Sequence, residues 1–154
     1  MATQGFQVYI SGGNVSLDDW RQAMVAPEKE LPMLSENQRE AARFVGMAES
    51  EYARGVLADE LGRNRQQGKG KRLGSVIGEI LDRIGQGWRL DSLIRKGVEF
   101  AWIARLEGEG YKTEVTIPLD LAEDVSDSED QFPKGRLEAI LRAHLESISR
   151  RAAS

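Results

Sequence analysis

Side-chain catalysis starts from nucleophiles, acid–base groups and metal ligands, and this 154-residue chain holds few of the specialised ones: no cysteine and a single histidine, His144. Without cysteine there is no disulfide scaffold, zinc finger, iron–sulfur site or thiol nucleophile. A zinc site would have only His144 and carboxylates to draw on, so no metal is expected. His144 falls inside an apolar stripe, between the directions of Leu137 and Ile140, which predicts packing against a core or a subunit contact rather than a catalytic cleft. The 25 acidic residues offer carboxylate pairs for acid and base work, but no spacing singles one out.

Phosphate and calcium motifs fail on position. A Walker loop ending at Gly68-Lys69 would need glycine at Arg63 and a hydroxyl at Gly70. Gly68-x-Gly70 and Gly85-x-Gly87 meet Leu73 and Leu90 where a dinucleotide fingerprint needs its third glycine. An EF-hand begun at Asp124 would place its turn glycine at Glu129 and its bidentate glutamate at Gly135. No cofactor is expected from any of these.

The sharpest local pattern spans residues 38–57: Ala42 stands four before Gly46, Val45 and Met47 flank that glycine, and Tyr52 stands six after it. The pattern resembles a helix-turn-helix, in which a small residue lets two helices approach and a glycine makes the turn. That resemblance implies DNA binding through the second helix, with Arg54 and the downstream Arg63, Arg65, Lys69, Lys71 and Arg72 meeting phosphates. Against it, the second helix opens with Glu49, Ser50 and Glu51, which phosphates repel. The chain's formal charge is −4, so it is no general polycation. Its charges are separated instead: residues 63–72 hold five bases and no acid, while residues 120–130 hold Asp120, Glu123, Asp124, Asp127, Glu129 and Asp130 and no base.

Around these residues the patterning predicts α+β elements. Phe6, Val8 and Ile10 alternate with polar neighbours as in a short strand, ended by Gly12-Gly13-Asn14. Ser16 caps a short helix carrying Asp18 and Asp19 at its positive end. Ser35 and Gln38 form a capping box, and Gly46 is a left-handed stop. A second helix is predicted from 48 or 49 to Gly62, with one unbroken helix over 35–67 as the rival. Residues 68–73 read as a basic, glycine-containing linker, and Ser75 as the cap of a new helix. Three alternating runs follow, with inner faces Trp88, Leu90, Ser92, Ile94; then Val98, Phe100, Trp102, Ala104, Leu106; then Tyr111, Thr113, Val115, Ile117, Leu119. Lys96-Gly97 and residues 107–110 supply the hairpin turns, and Arg89, Asp91, Arg95, Glu99, Arg105, Lys112 and Glu114 the solvated face. A last helix opens at Pro133-Lys134, with Leu137, Ile140, Leu141, Leu145 and Ile148 in one stripe.

The expected architecture is a helical pair joined to an α-β-β-β-α body, whose three-stranded antiparallel meander is covered on one face by helices. The divisions are an N-terminal arm (1–33), the helical pair (34–67), the linker (68–73) and the body (74–154). That body shares its order of elements with double-stranded-RNA-binding domains, although the acidic block, read as a loop before the last helix, suits RNA poorly. No standard catalytic constellation is present, so the expected function is a non-enzymatic, protein-binding or oligomerising accessory module. Val45, Tyr52, Val56, Leu57, His144 and Ile148 form its expected partner-binding surface, with a second copy as the first candidate partner. The DNA-binding regulator using residues 38–72 is the alternative, and a small carboxylate-dependent enzyme the second. The opening residues lack a secretory signal and no run is long and apolar enough for a membrane, so the expected location is the cytoplasm.

Overall fold

The structure, a computed structural model, describes residues 5–11, 15–96, 100–108, 110–127 and 130–153. The turn predicted at residues 12–14 and the assignments of Gly97, Val98, Glu99, Glu109, Ser128 and Glu129 lie outside the described residues. The strands and α-helices in chain order are β1 (Gln7–Ser11), α1 (Leu17–Val25), α2 (Glu36–Phe44), α3 (Glu49–Ile84), β2 (Arg89–Lys96), β3 (Ala101–Gly108), β4 (Tyr111–Pro118), α4 (Leu119–Asp127) and α5 (Gln131–Ala153), with one 3-10 turn at Glu28–Glu30. The class is α+β, with helices packed on a sheet. Two compact units divide the chain: Met1–Gly12 with Gln67–Ser154, and Gly13–Gln66.

The first unit holds the sheet, ordered β1-β2-β3-β4. The meander β2-β3-β4 is antiparallel as expected. The N-terminal strand adds a fourth member, pairing parallel to β2 with Val8 opposite Leu93. A core forms on one face from Leu73, Ile77, Ile80 and Leu81 of α3, Leu93, Trp102, Ala104, Leu106, Val115 and Ile117 of the sheet, and residues of α4 and α5. Burying such side chains is the main favourable term in folding this unit, at about 1.5–3 kcal/mol for a fully buried Leu, Ile or Val.

Three expectations fail here. Residues 68–73 are no linker, because α3 runs unbroken from Glu49 to Ile84. Glycine lowers helix propensity by about 1 kcal/mol, but here it lets other parts of the unit come close. A Cβ on Gly70 would stand 2.5 Å from Val8 Cγ1 and 2.9 Å from Trp102 Cη2, and one on Gly74 would collide with the Phe6 ring. Ser75 is accordingly no cap; its hydroxyl donates to the Lys71 carbonyl inside the helix. The acidic block is no open loop up to Asp127, since Leu121, Ala122 and Val125 of α4 are buried and that helix's four acids lie on its outer side. With β1 and α4 added, the order of elements departs from that of a double-stranded-RNA-binding domain.

The fourth correction concerns β2. A register irregularity between Leu90 and Ser92 places Leu90 opposite Leu106 and Leu93 opposite Ala104. A bulge reverses the alternation beyond it. Leu93 and Arg95, rather than Ser92 and Ile94, therefore share the inner face with Trp102 and Ala104. Arg95, expected in solvent, is buried, while Phe100, expected on the inner face, precedes β3 with a positive φ and is exposed. Tyr111 is likewise exposed.

In the second unit the local signals hold. Ser16 and Asp19 form a capping box on α1, and Ser35 and Gln38 one on α2. α2 and α3 are two helices, not one. Gly46, at φ +72°, ends α2 with its N–H donating to Arg43 O while the Met47 N–H donates to Ala42 O. This paired arrangement satisfies carbonyls that the helix end would leave open.

Candidate functional site

Three groups of polar side chains are brought together, and each has a structural task. In the second unit, Asp19 is buried beneath the start of α1. Its Oδ2 accepts from the Ser16 N–H at 2.8 Å and lies 2.9 Å from Arg65 Nη1, which also donates to Ser16 Oγ at 2.8 Å. Burial opposes the charged form of Asp19, but the Ser16 backbone and hydroxyl donors together with Arg65 outweigh it, and its pKa falls below the usual 3.8. At the other end of α1, Arg54 Nη1 donates to the carbonyls of Ala23 and Ala26 at 2.8 Å and of Met24 at 3.2 Å. A cation there also suits the negative end of the helix dipole.

In the first unit, Lys69 and Arg72 of α3 face the acidic side of α4. Lys69 Nζ lies 3.8 Å from Glu123 and 3.5 Å from Asp127, and Arg72 Nη2 lies 3.8 Å from Asp127. The opposite charge blocks of the sequence thus meet within one chain. Arg95, buried at the end of β2 beside this group, donates to Lys96 O at 3.4 Å; burial lowers its pKa and Glu123 opposes the fall.

The residues assigned to a nucleic-acid surface are therefore divided. Arg54, Arg65, Lys69 and Arg72 hold parts of the chain together, while Arg63 and Lys71 are exposed. Of the residues assigned to a partner surface, Val45 is 63% exposed and Tyr52, Val56 and Leu57 are half-buried. Ile148 instead packs against the core. His144 is half-buried, and its Nε2 lies 2.7 Å from Thr113 Oγ1, a hydrogen bond between α5 and β4.

Sequence reasoning named Val45 but missed the other apolar side chains left open around it and on α1 in the second unit. Phe44 is 91% exposed and Met47 42%, so with Val45 they form an apolar corner where α2 turns toward α3. On α1, Leu17, Trp20 and Met24 are exposed and fall within one stripe at helical spacing. The signal was present as apolar residues beside a helix stop, but those positions read equally well as core.

The polar face of the sheet carries a shallow depression of about 330 Å³, lined by Asp91, Arg105, Glu107, Lys112, Thr113 and Glu114 among others. Two of its three carboxylates are already matched: Arg89 holds Glu107 at 3.1 Å and Arg105 holds Glu114 at 2.9 Å, while Asp91 is exposed. Among the described residues no cluster of His, Asp and Glu is arranged to hold a metal, and no helix is long and apolar enough to cross a membrane. Comparison with protein-family models, with curated proteins and with solved structures finds no match for this chain.

Proposed function

We propose that this chain is a non-enzymatic module that works by binding protein, a second copy of itself included, through the apolar residues exposed in the second unit. The observation that carries this reading is the corner Phe44, Val45 and Met47, where three successive apolar positions, interrupted only by Gly46, stand open to solvent. Soluble chains tolerate single exposed apolar residues, but grouped ones of this size mark contact surfaces. The Leu17, Trp20 and Met24 stripe adds a second apolar strip to the same unit. Cytoplasmic location belongs to the same proposal, since the chain lacks cysteine and so gains nothing from an oxidising compartment.

The DNA-binding reading is weaker because four of its six cations already have partners within the chain. The enzyme reading is weaker because the carboxylates of the depression are exposed or ion-paired rather than set apart as an acid and a base. Replacing Phe44 and Val45 together with serine tests the proposal. Light scattering at micromolar concentration should show the wild type above monomer mass and the double variant reduced. A wild type and a double variant of equal mass, with no partner lost, would remove this surface from consideration.

A further inference from the structure

The sheet of the first unit has two outer edges, and they differ. At β1, α3 meets the edge: Gln67 Nε2 donates to the Val8 carbonyl at 3.0 Å. At the other edge β4 is the last strand, with β3 its only strand neighbour among the described residues. Its pairing with β3 is continuous from Ala101–Pro118 to Gly108–Tyr111, with no bulge to twist the edge away. A regular eight-residue edge is a template for another strand.

The hydrogen-bond phase of β4 follows from one bond. The Leu119 N–H donates to Phe100 O at 3.1 Å, so position 119 faces β3. In an antiparallel ladder alternate residues point their N–H and C=O the same way. Ile117, Val115, Thr113 and Tyr111 therefore turn theirs toward β3, and Thr116, Glu114 and Lys112 turn theirs outward. All three outward residues are exposed.

We propose that this edge pairs antiparallel with β4 of a second copy, with Thr113 facing Thr113 across the two-fold axis. The register is selected by chemistry. Centred on Thr113, Lys112 stands opposite Glu114 of the second copy and Glu114 opposite its Lys112, giving two opposite-charge cross-strand pairs. Centred on Glu114 or on Lys112, a like charge faces itself. Centred on Val115, Lys112 would stand opposite Pro118, whose nitrogen has no hydrogen to donate. Both outward residues of each pair can then exchange backbone hydrogen bonds. The seam joins the two sheets into one, and closes as a symmetric dimer because the same strand serves on both sides. It rests on the reading that the chain binds copies of itself, and it adds a polar surface in the first unit to the apolar surface of the second.

Sedimentation and light scattering of the full chain test the seam. Lys112→Glu and Glu114→Lys each convert both pairs to like charges, so each variant alone should dissociate about tenfold more readily. An equimolar mixture of the two variants restores opposite charges in the mixed dimer and should recover wild-type association. Because the chain has no cysteine, Thr113→Cys introduces a single thiol, placed about 4.5 Å in Cα separation from its counterpart. Mild oxidation should yield a covalent dimer of Thr113→Cys. Thr116→Cys, with its two copies about 20 Å apart in this register, should not cross-link. Unchanged association of the single-charge variants, no recovery on mixing, or equal cross-linking of the two cysteine variants overturns the seam. If mass falls with Phe44→Ser and Val45→Ser but not with the charge variants, only the apolar reading survives; the reverse leaves only the seam, and a monomeric wild type removes both.

Discussion

Asp19 and Arg65, 46 positions apart, are joined by a 2.9 Å ion pair that ties the first turn of α1 to the middle of α3 within one unit. The aspartate is buried and the arginine about one-third exposed. The pair thus braces from α3 a capping box that Ser16 and Asp19 already form between themselves.

The pH dependence of stability should carry the mark of Asp19. Its folded pKa is lowered, so the unfolded state binds the extra proton, and the stabilisation is present above the unfolded value of about 3.9. It is lost as pH falls through that value toward and past the folded pKa. Asp19→Asn should cost about 1–2 kcal/mol near neutrality, the usual scale of a lost cap, and should flatten the stability profile below pH ~5. Parallel acid profiles of wild type and variant would show that the pair does not stabilise the fold.

Arg54→Met should loosen the C-terminal end of α1, because one guanidinium satisfies three carbonyls there. The expected loss is about 1 kcal/mol, since water can replace part of the bonding at these partly exposed groups. Arg54→Lys should recover less than half, as the shorter lysine side chain does not carry its nitrogen as far as Nη1, the atom that makes all three bonds. Denaturant midpoints of the three proteins check this, and full recovery by lysine would show that charge alone matters.

The glycines of α3 should divide into two classes. Gly68→Ala and Gly78→Ala meet no atom within 4 Å and should stabilise by about 0.5–1 kcal/mol through helix propensity. Gly70→Ala and Gly74→Ala should instead destabilise by about 1–3 kcal/mol through overpacking against Val8, Trp102 and Phe6. Thermal midpoints moving the same way in all four would mean that β1 does not lie against this part of the helix.

Lys69 and Arg72 should behave as structural cations. Their replacement with serine should cost no more than about 1 kcal/mol, because the ion pairs with α4 are partly exposed. Association of the chain should be unaffected. The wild type should show no binding to a mixed-sequence DNA duplex at physiological salt. Salt-sensitive retention of the duplex, abolished by these changes, would restore the DNA-binding reading.

Local chemistry in the sequence determined the caps at Ser16 and Ser35, the stop at Gly46, the meander and the apolar stripe of α5, because each is decided by residues within one turn or one hairpin. What exceeded that range was decided by tertiary structure. Residues 68–73, with Gly68, Gly70 and three bases, read as a linker; only the approach of Val8, Phe6 and Trp102 explains why a helix carries glycine at positions 70 and 74. Arg95 reads as solvated because strict alternation puts it outside, and one irregularity at Leu90 and Ser92 turns it inward. The acidic block reads as a loop because acids dominate it, whereas burial of Leu121, Ala122 and Val125 makes its part up to Asp127 a helix. Likewise Lys69 and Asp127 could be seen as opposite charges in the sequence, but a charge does not specify its partner. Folding supplied that partner within the chain at 3.5 Å, since side chains held on packed helices meet at a far higher effective concentration than those of separate molecules.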